Sequence, residues 1–282
     1  MLKGRGAIVT GSVQGIGLAI ATRLAAKGCN IMLSGFAEPS EIERCRTDLI
    51  NRFHVDVDYD AADLSKLEDI ERMVAHAASR FPTIDVVVNN AAARGNAPIP
   101  EFPAAQWNYS LAVNLSAPFH LARLTIPGML SRQFGRIINI SSGFGLIGVG
   151  NRVDYVTTKT GLIGLTRAIA VETTGTGITC NALLPGATYT PRQEARVRGI
   201  MQQENLSEDD ALRRLAVDFG VERFIPPDSV AAFAAFLCSE DAADISGGAF
   251  PVDAAYTAGG MLRKPNWEIG ASPKAPTDRA NA

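Results

Sequence analysis

The sequence predicts an α/β fold: a single doubly wound domain, with a parallel seven-stranded sheet and helices on both faces. Three observations predict it. Short apolar runs alternate with longer amphipathic stretches from the first residues to about residue 255, the pattern of βαβ units with right-handed crossovers. Most of the short runs carry continuous Val, Ile and Leu, as strands buried on both faces do. A glycine-rich turn joins the first of them to the first helix. The chain has 282 residues, of which 46% are hydrophobic and 20% charged, ample for one packed core.

In chain order, strands are expected over Ala7–Thr10, Asn30–Ser34, His54–Tyr59, Asp85–Asn89, Arg136–Ile140, Ile178–Leu184 and Ala249–Asp253. Helices are expected between them over Ile16–Lys27, Ser40–Asn51, Lys66–Arg80, Ala104–Leu130, Asn151–Thr173 and Asp228–Leu237. Two segments break the rhythm. Residues 191–225 are charged and helical in pattern where a short connection would suffice, and a long ordered insertion at a strand's carboxyl end reads as a substrate lid. Residues 259–282 form a tail without period, either disordered or docked on a neighbouring subunit, which leaves 1–258 as the domain.

Net charge is −2, which asks for neither nucleic acid nor an anionic membrane, and no apolar run approaches the roughly 20 residues that a bilayer helix needs. A strand follows the first residues at once, with no room for a secretory leader. Cys29, Cys45, Cys180 and Cys238 are scattered, with no CxxC pair, and read as reduced thiols of a cytoplasmic protein. His54, His76 and His120 lie far apart, so no metal site is expected.

Chemistry begins at Thr10-Gly11-Ser12-Val13-Gln14-Gly15-Ile16-Gly17. Gly11 permits a tight turn, Gly15 lets backbone N–H groups approach a pyrophosphate, and Gly17 lets helix pack on strand. The helix start adds the positive end of its dipole. This is a Rossmann-type dinucleotide site, spaced GxxxGxG rather than GxGxxG. At the end of the second strand, Ser34-Gly35-Phe36-Ala37-Glu38 offers no Arg or Lys to a 2′-phosphate, which favours NAD over NADP. Asp63 and Leu64 after the third strand either bracket the adenine or form an ordinary turn.

Tyr155 and Lys159, spaced i, i+4, share a helix face. A tyrosine of pKa near ~10 becomes a usable base when an ammonium favours its phenolate. Ser142 follows a strand's carboxyl end, where its hydroxyl can hold a substrate oxygen. Asn114 falls inside a helix, an awkward place for an amide unless it is engaged locally, for instance in anchoring a water that links Lys159 to solvent.

These residues, with Asn89-Asn90-Ala91-Ala92 and Pro185-Gly186 through Thr190, resemble the short-chain dehydrogenase/reductase family over residues 1–255. The resemblance implies Tyr155 as the acid/base, Lys159 on the nicotinamide ribose and lowering the phenol's pKa, Ser142 orienting substrate, and Asn114 ordering a relay water. It places Gly11, Gln14, Gly15, Ile16, Gly17 and Phe36 on the cofactor. It adds Asp63, Leu64, Asn90, Ala91, Pro185, Gly186, Thr188 and Thr190 to that set, and it implies a homotetramer. Two departures are Ala92 in place of the Gly of NNAG, and Ala254-Ala255 in place of the paired glycines of VDGG.

Within the family the pattern is similar to bacterial D-3-hydroxybutyrate dehydrogenases, at Ser34-Gly35-Phe36, Ala61 to Ser65 and Phe134 to Ile140. The pocket differs, with Arg94, Phe144, Arg152, Ala187 and Arg196 where those enzymes carry Gln, His, Lys, Trp and Gln. Arg94 and Arg152 are expected to clamp an anionic hydroxy or keto acid bulkier than hydroxybutyrate, with solvated loop arginines as the alternative. Arg192, Arg196 and Arg198 read as a solvated face of the insertion. The function expected is hydride transfer between NAD and a secondary alcohol. The alternatives are an NADPH-dependent 3-ketoacyl or carbonyl reductase and a dinucleotide-binding regulatory protein without turnover.

Overall fold

The computed structural model describes residues 2–219, 221 and 223–260. The strands are β1 Gly6–Val9, β2 Asn30–Ser34, β3 Val57–Asp60, β4 Ile84–Asn89, β5 Gly135–Ile140, β6 Ile178–Pro185 and β7 Ala249–Val252. The helices are α1 Gly15–Ala25, α2 Pro39–Phe53, α3 Leu67–Arg80, α4 Ala104–Leu111, α5 Ala117–Arg132, α6 Val153–Glu172, α7 Pro191–Glu204, α8 Glu208–Asp218 and α9 Pro227–Leu237. All seven expected strands form one sheet, ordered β3-β2-β1-β4-β5-β6-β7 and parallel throughout.

Neighbouring strand residues point to opposite faces. Val86 and Val88 therefore enter one apolar layer with Ile20 and Leu24 of α1 and Val230 of α9, while Val87 enters the other with Met73 of α3 and Leu121 of α5. Because both layers are apolar, the strands place apolar residues on both faces rather than on one. The winding reverses between β1 and β4, and this opens a crevice at the strands' carboxyl ends.

Two local differences from the expected elements have clear causes. The third strand begins at Val57 rather than His54, because His54 takes a left-handed conformation (φ 55°) as the C-cap of α2. The single helix expected over 104–130 is divided by a π turn at Ala112–Ser116, centred on Asn114. Pro118 stands four residues after Asn114 and has no N–H to give its carbonyl, so the α-helical ladder cannot run through this point.

The 191–225 insertion is a helical pair with a small core of its own, Val197 of α7 against Ala211 and Leu215 of α8, with Phe224 beside them. Its two ends are tied together where Tyr189 N–H donates to the Ile225 carbonyl and Ile225 N–H to that of Ala187. Beyond Gly260 the tail lies outside the described residues.

Candidate active site

The glycine turn is held from behind. Gly11 has φ +61°, and a Cβ at Gly17 would overlap the Gly11 carbonyl. The Asn90 amide donates to the carbonyls of Thr10 (3.0 Å) and Gly11 (2.9 Å). In return the Thr10 hydroxyl oxygen accepts from the N–H groups of Asn90 (3.0 Å) and Ala91 (3.1 Å). The end of β4 is thereby locked to the turn. Gln14 gives α1 no side-chain cap, and the first turn of α1 carries no acidic residue. A helix start without a cap or a repelling carboxylate fits a pyrophosphate. Thr190 closes the opposite wall, its methyl 3.5 Å from where a Gly15 Cβ would stand.

The end of β5 and the helix α6 bring Ser142, Tyr155 and Lys159 together. Ser141 Oγ donates to the Lys159 carbonyl (2.8 Å), and Lys159 Nζ donates to the Ile140 carbonyl (2.7 Å), so strand and helix fix each other's register. Ser142 Oγ accepts from the Phe144 N–H (3.2 Å), which leaves its own proton to donate into the cleft. Lys159 is fully buried, and its Nζ lies 5.6 Å from the centre of the Tyr155 ring.

Burial is the largest influence on both titratable groups. It pushes the Tyr155 phenol above its ordinary range, against the pull of Arg94, of a Ser142 hydrogen bond and then of Arg152 and Arg192. Burial and then Arg94 push Lys159 down to about 7. Desolvation thus disfavours the charged form of both groups, and the neighbouring arginines favour the phenolate.

Asn114 is engaged locally, as its place in a helix demanded. Its Oδ1 accepts from the Ala93 N–H (2.7 Å), and its Nδ2 donates to the Ala93 carbonyl (2.8 Å) and to Thr158 Oγ1 (3.0 Å). The carboxamide thus pins the loop after β4 to α6.

A cleft of about 410 Å³ brings together Gln14, Gly15, Ile16 and Asn90 with Ser142, Tyr155 and Lys159. Pro185, Gly186, Thr188 and Thr190 line it from the β6 loop, together with Arg94, Phe144 and Ala187. Other expected residues lie off the cleft. Gly11, Gly17 and Ala91 shape the turn, and Phe36 is exposed at the end of β2. Asp63 Oδ1 accepts from the Ser65 N–H and hydroxyl, and Leu64 is buried among Ile70 and Met73. Arg152 Nη1 donates to the Gly95 carbonyl (2.6 Å) and does not line the cleft.

Sequence reasoning missed several lining residues, among them Arg192, Gln193, Phe219 and Tyr256. Arg192 follows Thr190 by two positions, and that proximity was the available signal against a solvated face. Phe219 and Tyr256 come from the end of α8 and the segment after β7, with no local motif; Tyr256 packs edge-on to Phe144 with ring centres 6.3 Å apart.

The short chain dehydrogenase family model matches residues 5–200. This chain belongs to the short-chain dehydrogenases. A D-beta-hydroxybutyrate dehydrogenase of Cupriavidus necator is 38% identical over 92% of this chain and 100% of its own. Another from Rhizobium meliloti is 37% identical over 89% of this chain and 98% of its own. The structure is similar to L-sorbose reductase from Gluconobacter frateurii complexed with NADPH and L-sorbose, with a TM-score of 0.84 and 30% identity over 94% of this chain and 98% of that one. Family and site together make the protein an oxidoreductase of secondary alcohols and ketones that works with a nicotinamide cofactor.

Proposed function

We propose that this dehydrogenase uses NAD to oxidise an anionic secondary hydroxy acid, or to reduce the matching keto acid. The observation that carries the reading is the joining of Ser142, Tyr155 and Lys159 with Arg94 in one cleft beside the uncapped start of α1. When bound along the glycine turn, a nicotinamide dinucleotide supplies the hydride acceptor. The N–H groups from Gln14 to Gly17 hold its pyrophosphate, Lys159 its ribose, and Thr188 and Thr190 its carboxamide. Asn90, Ala91, Pro185 and Gly186 form the walls between, and Asp63, Leu64 and Phe36 flank the adenosine end.

The Ser142 hydroxyl donates to the substrate oxygen, and Tyr155 Oη takes the hydroxyl proton as the C–H bond is lost, or returns it in reduction. Lys159, with a pKa near 7 and its Nζ held on the Ile140 carbonyl, would hand that proton to a water ordered at Asn114. NAD is supported by the run Gly35-Phe36-Ala37-Glu38, where an acid and no base meets the ribose. The NADPH bound by the sorbose reductase favours the second reading, an NADPH-dependent ketone reductase. Initial rates at 340 nm with NAD⁺ and NADP⁺ decide between them.

Residues 191–225 act as the lid in this reading, supported by Arg192 and Phe219 in the cleft wall. A homotetramer is supported by the exposed Tyr109, Phe119, Leu130 and Val171 on α4, α5 and α6, and is read by light scattering. Four free, buried cysteines support a cytoplasmic setting. The test of the mechanism is Y155F, which removes only the phenol oxygen. Turnover falls by about 10³-fold while NADH binding, followed by fluorescence, persists; unchanged turnover overturns the assignment.

A further inference from the structure

The cleft holds more positive charge than hydride transfer requires. Arg94 comes from the loop after β4, and Arg192 sits at the second position of α7, on the lid. Both residues are exposed on the cleft wall, and the charge of Arg192 disfavours that of Arg94. Lys159 adds a further basic group. No Asp or Glu is among the residues that line the cleft.

The nearby acids are committed elsewhere. Glu194 pairs with Arg198 (3.3 Å), and Asp154 Oδ2 accepts from the Gly95 N–H (2.7 Å) and the Ser110 hydroxyl (2.6 Å). Arg192 also stands in the first turn of α7, against the positive end of that helix's dipole.

Arg152 and Asp154 have a different task from Arg94. One binds the carbonyl of Gly95 and the other its N–H, so they fix the peptide that follows Arg94. Arg94 is therefore a held floor residue and Arg192 a lid residue. Neither guanidinium has a hydrogen-bond or ion-pair partner among the described residues. A planar carboxylate saturates one guanidinium fork with its two oxygens. Two forks facing one cleft need twice the acceptors and twice the charge.

We propose that Arg94 and Arg192 close from floor and lid on a substrate carrying two negative charges, so that the enzyme selects a dicarboxylic or phosphonate-like hydroxy acid over a monocarboxylate. This deepens the hydroxy-acid reading above and rests on it for the identity of the substrate. Opening at Ala187, where no large side chain stands, gives the second anionic group room.

The test has a kinetic arm and a binding arm, both on the full chain. With NAD⁺, kcat/KM is compared for 3-hydroxybutyrate, 3-hydroxyglutarate and 2-hydroxypropylphosphonate. At least one dianion is expected to exceed 3-hydroxybutyrate by about tenfold or more, and R192Q is expected to collapse that ratio towards one; which dianion leads tells carboxylate from phosphonate. A preference for 3-hydroxybutyrate over both overturns the proposal.

In the binding arm, thermal shifts are read with malonate and with acetate, in the presence and absence of NADH. Malonate is expected to stabilise more than acetate, additively with NADH, and R94Q and R192Q each to abolish the difference. Equal shifts overturn the two-charge site. Malonate competing with NADH assigns the arginines to the cofactor's phosphates and overturns it equally. This arm needs no turnover, so an inactive enzyme that binds malonate in this way defeats the hydroxy-acid reading and leaves the paired-arginine site standing.

Discussion

Lys159 is a large, fully buried side chain, and its ammonium donates to one backbone carbonyl, that of Ile140. Its pKa is lowered from 10.5 to about 7, so between those values the unfolded chain binds a proton that the folded chain has released. Stability therefore rises with pH across this window, and below pH 7 the charged lysine imposes its full cost. K159M removes that cost. Urea unfolding is expected to show the variant more stable than the parent at neutral pH, with the difference shrinking towards pH 10 as activity stays lost. Comparing the two proteins at each pH cancels the buried thiols of Cys29 and Cys180, which burial raises to about 12 and which oppose the trend in alkali.

A second residue-scale cost lies after β7. Ala254 (φ 52°) and Ala255 (φ 67°) occupy the left-handed region that glycine enters freely. A255G is expected to stabilise the fold by about 1 kcal/mol, read from the urea midpoint at constant m-value. The paired-alanine departure was legible in the sequence, but its backbone conformation was not, because a dipeptide does not state its own φ.

At the scale of elements, the π turn between α4 and α5 is the clearest case of local sequence and tertiary contact acting together. Pro118 breaks the ladder, and the widened turn carries Asn114 into contact with Ala93 and Thr158. N114A removes three hydrogen bonds and leaves Ala93 unpaired in a partly buried loop. It is expected to cost about 2 kcal/mol in urea unfolding and to raise KM, since Arg94 in the cleft wall follows Ala93 directly. A helical period over 104–130 was visible in the sequence, but the break was not, because proline near a helix start is ordinarily tolerated. The α7–α8 pair shows the same division. Its helical character was legible from its pattern, whereas Arg192 and Phe219 entered the cleft only because the bridge between Thr188 and Ile225 sets the pair's orientation.

Across the whole molecule, Asp85 ties distant parts of the chain at the end of the sheet opposite the cleft. This fully buried carboxylate pairs with Arg5 (2.9 Å) and Arg132 (2.7 Å) and accepts from the Thr83 hydroxyl (2.6 Å). It joins the residue before β1, the start of β4 and the end of α5. D85A strands two cations at a partly buried junction, and an expected loss of about 3 kcal/mol in urea unfolding, with KM unchanged because the cleft is remote, checks this.

The sequence by itself determined the strands, their parallel sheet and the Ser142, Tyr155 and Lys159 set. Those signals are local: apolar runs of strand length, a glycine-rich strand-to-helix turn, and two residues one helical turn apart. Only the tertiary structure decided how charge is distributed among them. A pKa sums desolvation and fields from every group within reach, so the weakened lysine, the elevated phenol and the unbalanced Arg94 and Arg192 exist only once β4, α6 and α7 have been brought to one crevice.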